Sequence, residues 1–143
     1  MTEAPAKPFR LLPHLTELTA PFWTGGARGE LVFQRCQDDG YRIHPPTPVC
    51  PRCYGRNIAP EAVSGRATVA GFTVNHQVWN PTMPPPYIIA IVEIEEQPDV
   101  RLTTNLVNVD AEAVRVGLPV RVVFEEHEDK DGKVWIPLFE PVA

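Results

Sequence analysis

The feature that most limits how this chain can fold is Cys50-Pro51-Arg52-Cys53, with Cys36-Gln37-Asp38-Asp39 repeating the same spacing fourteen residues earlier. The chain has three cysteines, an odd number, and this C-x-x-C spacing belongs to metal knuckles far more than to a secreted disulfide framework. Two such knuckles joined by a proline-rich hairpin make a ribbon of the kind that holds tetrahedral zinc. Asp39 stands where a four-cysteine ribbon carries its second cysteine. Zinc accepts a carboxylate oxygen, so Cys36, Asp39, Cys50 and Cys53 form a chemically sound donor set for a structural metal. His44 competes for the fourth place, and a ribbon that has lost its metal and keeps its cysteines as small buried residues is a third outcome. The spacing leaves these open. A catalytic zinc is not expected, because no H-x-E or HExxH companion is present.

The flanking residues build the ribbon. Leu31 to Cys36 reads as a strand entering the first knuckle, Tyr41 to His44 as the return strand, and Pro45, Pro46 and Pro48 carry the chain stiffly to the second knuckle. Upstream, residues 1 to 8 read as a tail. Residues 9 to 23 hold Phe9, Leu11, Leu12, Leu15, Leu18, Phe22 and Trp23 at mixed helical spacing, which predicts a short helical arm cut by Pro13 and Pro21. Such an arm must lie on the rest of the fold or on a partner. Gly25-Gly26-Ala27-Arg28-Gly29 lacks the Gly-Lys-Ser/Thr ending of a phosphate loop and reads as a turn.

After Gly55 the pattern changes to the repeated strands of a small barrel. Candidates are Ile58 to Val63, Ala67 to Trp79, Tyr87 to Ile94, Arg101 to Leu106, Val120 to Glu126 and Val134 to Phe139. Gly71 is expected to mark a bend or bulge in a long first strand, and Asp110 to cap a helical turn at 110–113. The Asp131-Gly132 pair supplies a hairpin. The chain therefore reads as mainly β: tail and helical arm over 1–29, a zinc-ribbon-like module over 30–57, and a five-stranded barrel domain over 58–143. Seventeen prolines and nine glycines among short apolar runs agree with that and exclude long helices.

Charge narrows the function classes. The formal net charge is −5 and the 13 Lys and Arg do not cluster, which opposes a phosphate-backbone partner. No stretch approaches the ~18 apolar residues of a membrane helix, and no apolar h-region follows Met1 to Lys7, so a cytoplasmic protein that uses neither membrane nor nucleic acid is expected.

With ribbon and barrel in place, several segments form a familiar series. They include Phe22-Trp23, His44-Pro45-Pro46, Val49 to Cys53, Val63-Ser64-Gly65-Arg66-Ala67-Thr68-Val69, Pro86 to Glu93, Leu102 to Val107 and Val116 to Glu125. From about Phe22 onward the chain resembles the acyl-CoA-associated OB-fold family with a rubredoxin-like zinc ribbon, long catalogued as a domain of unknown function. The resemblance implies a helper role beside a thiolase-like or lipid-transfer-protein-like enzyme subunit, in thiolase, acyltransferase or steroid side-chain aldolase complexes. There the partner carries the catalytic residues, the barrel is associated with acyl-CoA, and the ribbon and arm with subunit contact. Asp39 departs from the family's usual cysteine.

If an acyl-CoA passes between partner and barrel, the first barrel strand's end and the loop after it are placed to line its path. Trp79 and Tyr87 offer rings to stack on an adenine or cover a pantetheine arm, His76 a proton donor, and Asn105 a hydrogen bond on the barrel face. No serine or cysteine can be assigned a base, so no catalytic residue is named. Two other classes compete with the accessory subunit. They are a single-stranded nucleic-acid-binding OB protein, which the acidic balance opposes, and a free-standing CoA-thioester enzyme, which lacks a visible nucleophile.

Overall fold

A computed structural model describes residues 8–142 of the chain. The tail expected over 1–8 therefore lies, for residues 1–7, outside the described residues. The arm is less helical than its apolar spacing predicts. Residues 8–16 run without regular structure, and among the described residues only α1 (Ala20–Thr24) is an α-helix, followed by a tight 3-10 turn over Gly25–Arg28. Pro21 starts that helix instead of cutting one, since a proline in the first turn lacks only an N–H that has no intrahelical partner there.

The ribbon is a three-stranded antiparallel sheet in the order β2 (Arg42–Ile43), β1 (Leu31–Cys36), β3 (Ile58–Val63). Ile58–Val63, expected among the barrel strands, pairs along its whole length with β1, from Leu31 opposite Val63 to Cys36 opposite Ile58. Alternation alone does not tell which sheet a strand joins. β1 is central and buried at Leu31, Val32, Phe33, Gln34 and Cys36.

The remaining strands are β4 (Arg66–Asn75), β5 (Tyr87–Ile94), β6 (Gln97–Leu106), β7 (Pro119–Asp129) and β8 (Gly132–Pro141). They close into a barrel ordered β4-β5-β6-β8-β7. β8 meets β6 in parallel at Leu106 and Phe139, and every other pairing is antiparallel. The expected bulge is present: the β4 register slips between Val69 and Gly71. β4 ends at Asn75, so Val78 and Trp79 belong to the loop that follows and are exposed. Asp110 precedes a 3-10 turn at Ala111–Ala113, but its side chain makes no capping bond.

One apolar core runs through the barrel and out of it. Ile88, Ala90, Val92 and Ile94 of β5 alternate inward and meet Val69, Val120 and the fully buried Phe139, and the same cluster takes in Phe22 of the arm and Leu31 and Phe33 of the ribbon. Polar ties add to it. The Arg42 N–H donates to Gln97 Oε1 at 2.9 Å, Gln97 Nε2 donates to the Arg42 carbonyl at 2.8 Å, and the Tyr41 hydroxyl reaches Asp99 Oδ2 at 3.0 Å. Arm, ribbon and barrel are thus packed on one another.

Candidate functional site

The two knuckles are built alike. In the second, the Tyr54 N–H bonds the Cys50 carbonyl and the Gly55 N–H points at Cys53 Sγ, 3.4 Å away. In the first, the Gly40 N–H bonds the Cys36 carbonyl and the Tyr41 N–H donates to Asp39 Oδ1 at 2.9 Å. The Asp39 carboxylate therefore takes the place in the first knuckle that the Cys53 sulfur takes in the second, with one oxygen on the backbone and the other turned toward Cys50 Sγ at 3.5 Å. Gly40 has φ +80°, a left-handed position where a glycine is unstrained.

The ligand atoms of Cys36, Asp39, Cys50 and Cys53 all lie within 4.8 Å of one another, and Cys36 Sγ is 3.6 Å from Cys53 Sγ. Zn–S bonds of about 2.3 Å place sulfurs at tetrahedral corners about 3.8 Å apart, with a sulfur and an oxygen about 3.5 Å apart. The donor set fits a tetrahedral zinc. His44 is not part of it. Its ring lies between Phe22, 4.8 Å away, and Phe33, 5.0 Å away, and burial pushes its pKa down to about 4, so it is neutral at pH 7. The Tyr41 N–H holds the Asp39 carboxyl below the usual range. At Cys53 the Gly55 N–H lowers the pKa, but the neighbouring Cys36 and Cys50 thiols and burial outweigh it and push the thiol up to about 11.

A second constellation lies on the barrel wall. Barrel strands two and three, here β5 and β6, form the face that OB barrels commonly use for ligands. On it sits a cleft of about 750 Å³, floored by Tyr87, Ile89, Thr103 and Asn105 and walled by Ile136 to Leu138 of β8. Phe22 and Trp23 of the arm and His44, Pro45 and Pro46 of the ribbon complete the enclosure. The cleft thus exists only because arm and ribbon pack on the barrel.

Residues 9–14 stretch from Thr82 to the turn between β7 and β8, and of them Arg10 lines the cleft. The Phe9 N–H donates to Thr82 Oγ1, His14 lies 3.7 Å from the Asp131 carboxylate, and between them Arg10 reaches in. Its Nε meets Glu125 Oε1 at 2.5 Å and its Nη1 donates to Asn105 Oδ1 at 3.2 Å. His127 Nε2 shares the same Glu125 oxygen at 2.6 Å. Burial raises the Glu125 pKa, but the Arg10 and His127 hydrogen bonds outweigh it and hold the carboxyl below its ordinary value.

Of the four residues expected near a ligand, Tyr87 and Asn105 line this cleft and Trp79 and His76 do not. Trp79 is 75% exposed with its indole N–H on Asn75 Oδ1, and His76 is exposed in the same loop. Arm and ribbon residues make up much of the enclosure and were not legible as such, because nothing local says that residues 80 positions apart share a wall. Arg10 carried no signal at all.

A three-stranded ribbon with a four-donor knuckle pair, packed on a closed barrel to enclose a largely apolar cleft, defines a zinc-ribbon OB-fold protein. The family model described as "ChsH2, rubredoxin-like zinc ribbon domain" matches residues 23–59, and that described as "ChsH2, C-terminal OB-fold domain" matches residues 60–125. The chain belongs to this ChsH2 (DUF35) family. It is 36% identical over 125 residues to the "3-oxo-4,17-pregnadiene-20-carboxyl-CoA hydratase alpha subunit" of Mycobacterium tuberculosis, covering 87% of this chain and 39% of that protein. It is 32% identical to a "DUF35 domain-containing scaffold protein" of Pyrococcus furiosus, covering 73% of this chain and 76% of that one. Among solved structures, a chain of the "Ltp2-ChsH2(DUF35) aldolase" superposes with a TM-score of 0.79 at 29% identity, covering 92% of this chain and 100% of that chain. The chain spans about two-fifths of the length of the hydratase alpha subunits it matches. Among the described residues no helix is long and apolar enough to cross a membrane.

Proposed function

We propose that this chain is a non-catalytic accessory subunit of a thiolase-like acyl-CoA enzyme in the cytoplasm, with its barrel cleft turned to the CoA thioester. The observation that carries the reading is the likeness, over the whole of that chain, to the DUF35 member of an aldolase named as a pair, Ltp2-ChsH2. The scaffold naming of the archaeal relatives supports the same role. The surface supports it as well: Phe9, Leu11 and Tyr54 are 58%, 88% and 78% exposed on the arm and ribbon, large apolar side chains of the kind that mark interfaces. A steroid or lipid side chain is the acyl class we propose, because one relative is named for a pregnadiene-carboxyl-CoA.

In this reading the ribbon is a rigid structural part, with zinc held by Cys36, Asp39, Cys50 and Cys53 and supplying cross-linking, not chemistry. We keep the arm's boundary at 29 but move the ribbon's end from 57 to 63, because Ile58–Val63 pairs with β1, and start the barrel at Arg66. The nucleic-acid alternative finds little support on the barrel face, where Arg10 and Arg101 are paired with Glu125 and Glu93. A free-standing enzyme finds little in the cleft, whose hydroxyls come from threonines and a tyrosine with no base bonded to them among the described residues.

Co-expression with a thiolase-like protein encoded beside it tests the reading. Affinity capture through a tag on this chain is expected to recover both proteins in fixed ratio through gel filtration. Recovery of this chain alone would count against it.

A further inference from the structure

The cleft's polar groups are almost all spent within the chain. Arg10 is held by Glu125 and Asn105, and Arg101 by Glu93 at 2.9 Å. Asn105 uses its oxygen on Arg10 and its nitrogen on the Ile88 carbonyl at 2.9 Å, and the Thr104 hydroxyl donates to the Pro137 carbonyl at 3.0 Å. What remains toward the space is apolar surface from Phe22, Trp23, Ile89, Ile136 and Leu138, with three uncharged hydrogen-bonding groups among it: the His44 ring, the Tyr87 hydroxyl and the Thr103 hydroxyl. A CoA thioester has two unlike ends, a nucleotide with several phosphate charges and an acyl body that is largely apolar. Phosphates recruit free guanidinium or ammonium groups and backbone N–H clusters. This cleft offers no unpaired cation among its described residues, and its volume of about 750 Å³ suits a drug-sized or ring-containing body.

We infer that the cleft is a binding site for the acyl body of the thioester, taking an apolar chain or ring system that carries uncharged oxygen functions, while the nucleotide stays outside it. This rests on the accessory-subunit reading for the presence of a thioester, but the walls all come from this chain, so binding needs no partner. The preference is set by matching charge state: an uncharged ligand leaves the largely buried Arg10–Glu125 pair intact, whereas phosphates entering the cleft would have to compete with that carboxylate.

Calorimetric titration of the isolated full chain with S-decanoyl-CoA, S-decanoyl-pantetheine and free CoA tests it. The two decanoyl probes are expected to bind within about threefold of each other and free CoA roughly 100-fold more weakly, because the discriminating contacts are apolar. Ile89→Asp, inside the cleft, is expected to weaken both decanoyl probes by at least about 30-fold, and Ile91→Asp, two residues on along β5 but outside the cleft, to leave them unchanged. If Ile89→Asp does not fold, the three-probe comparison on the unaltered chain decides alone. Free CoA binding as tightly as decanoyl-CoA, or no binding of decanoyl-pantetheine, would overturn the inference. Either result leaves the accessory role standing if capture still recovers the partner, which separates the two failures.

Discussion

Cys50→Ala is expected to take the zinc content from about one ion per chain to none and to cost about 4 kcal/mol or more, in the range that loss of a metal or a core cavity produces. The reason lies in how little else holds that end of the ribbon. Its own buried cluster is Cys36, Ile43 and Cys50, with Tyr41 and Ile58 packed against it, far too small to be stable by burial alone. β1 continues into the barrel core through Leu31 and Phe33, so the damage should stop short of the barrel. Elemental analysis of protein purified without chelator, with urea denaturation followed by fluorescence, checks both numbers. Because the thiols must lose their protons to bind, and Cys53 in the metal-free knuckle holds its proton up to about 11, zinc affinity is expected to fall as pH is lowered. Asp39→Cys is expected to hold zinc more tightly than the natural carboxylate. Metal-free protein as stable as the metal-loaded one would mean that the ribbon stands without its ion.

Gly26→Ala is expected to destabilise the chain by about 1–3 kcal/mol and to lift the arm from the barrel. A Cβ there would lie 2.7 Å from the Phe124 ring and closer still to Trp135 Cβ. Trp135 cannot yield by changing rotamer, since its Cβ is fixed to the β8 backbone, so the arm itself must move. Phe22 and Trp23 lie four and three residues upstream and enclose the cleft, so the same substitution should open it. Hydrogen exchange of residues 20–28 reads this directly: protection lost there and kept in β5 and β6 is the expected pattern, and unchanged protection would show that the close approach is not needed.

Much of this was legible in advance because its signals are local. The knuckles follow from thiol spacing, and the barrel strands from alternation bounded by Gly, Pro and Asp-Gly turns. The β4 bulge followed from one glycine inside a strand pattern. What escaped was non-local. Ile58–Val63 looks like any half-buried strand, and only its partner, β1, assigns it to the ribbon. The arm's apolar residues fit helical spacing, yet Phe22 and Trp23 fall in α1 and pack on the core while Leu11 lies in irregular chain and faces outward, so tertiary packing and not spacing decides where the arm is helical. At the site, Asp39 could be read from the knuckle repeat, Tyr87 as a ring closing the proline-rich loop, and Asn105 from its place on the barrel face, and the last two line the cleft. Trp79 drew notice as an aromatic beside a proline-rich loop, yet its loop carries it into solvent. The enclosing role of Phe22, Trp23 and Pro45 depends on three modules meeting, which no spacing records.

The most direct test of the accessory-subunit account is acyl-CoA turnover measured three ways, with this chain alone, with the thiolase-like partner alone, and with the two combined. The account predicts no turnover by this chain, and a partner whose activity or solubility rises when this chain is added. Turnover of an acyl-CoA by this chain alone, lost on substitution of one of its own residues, would contradict it.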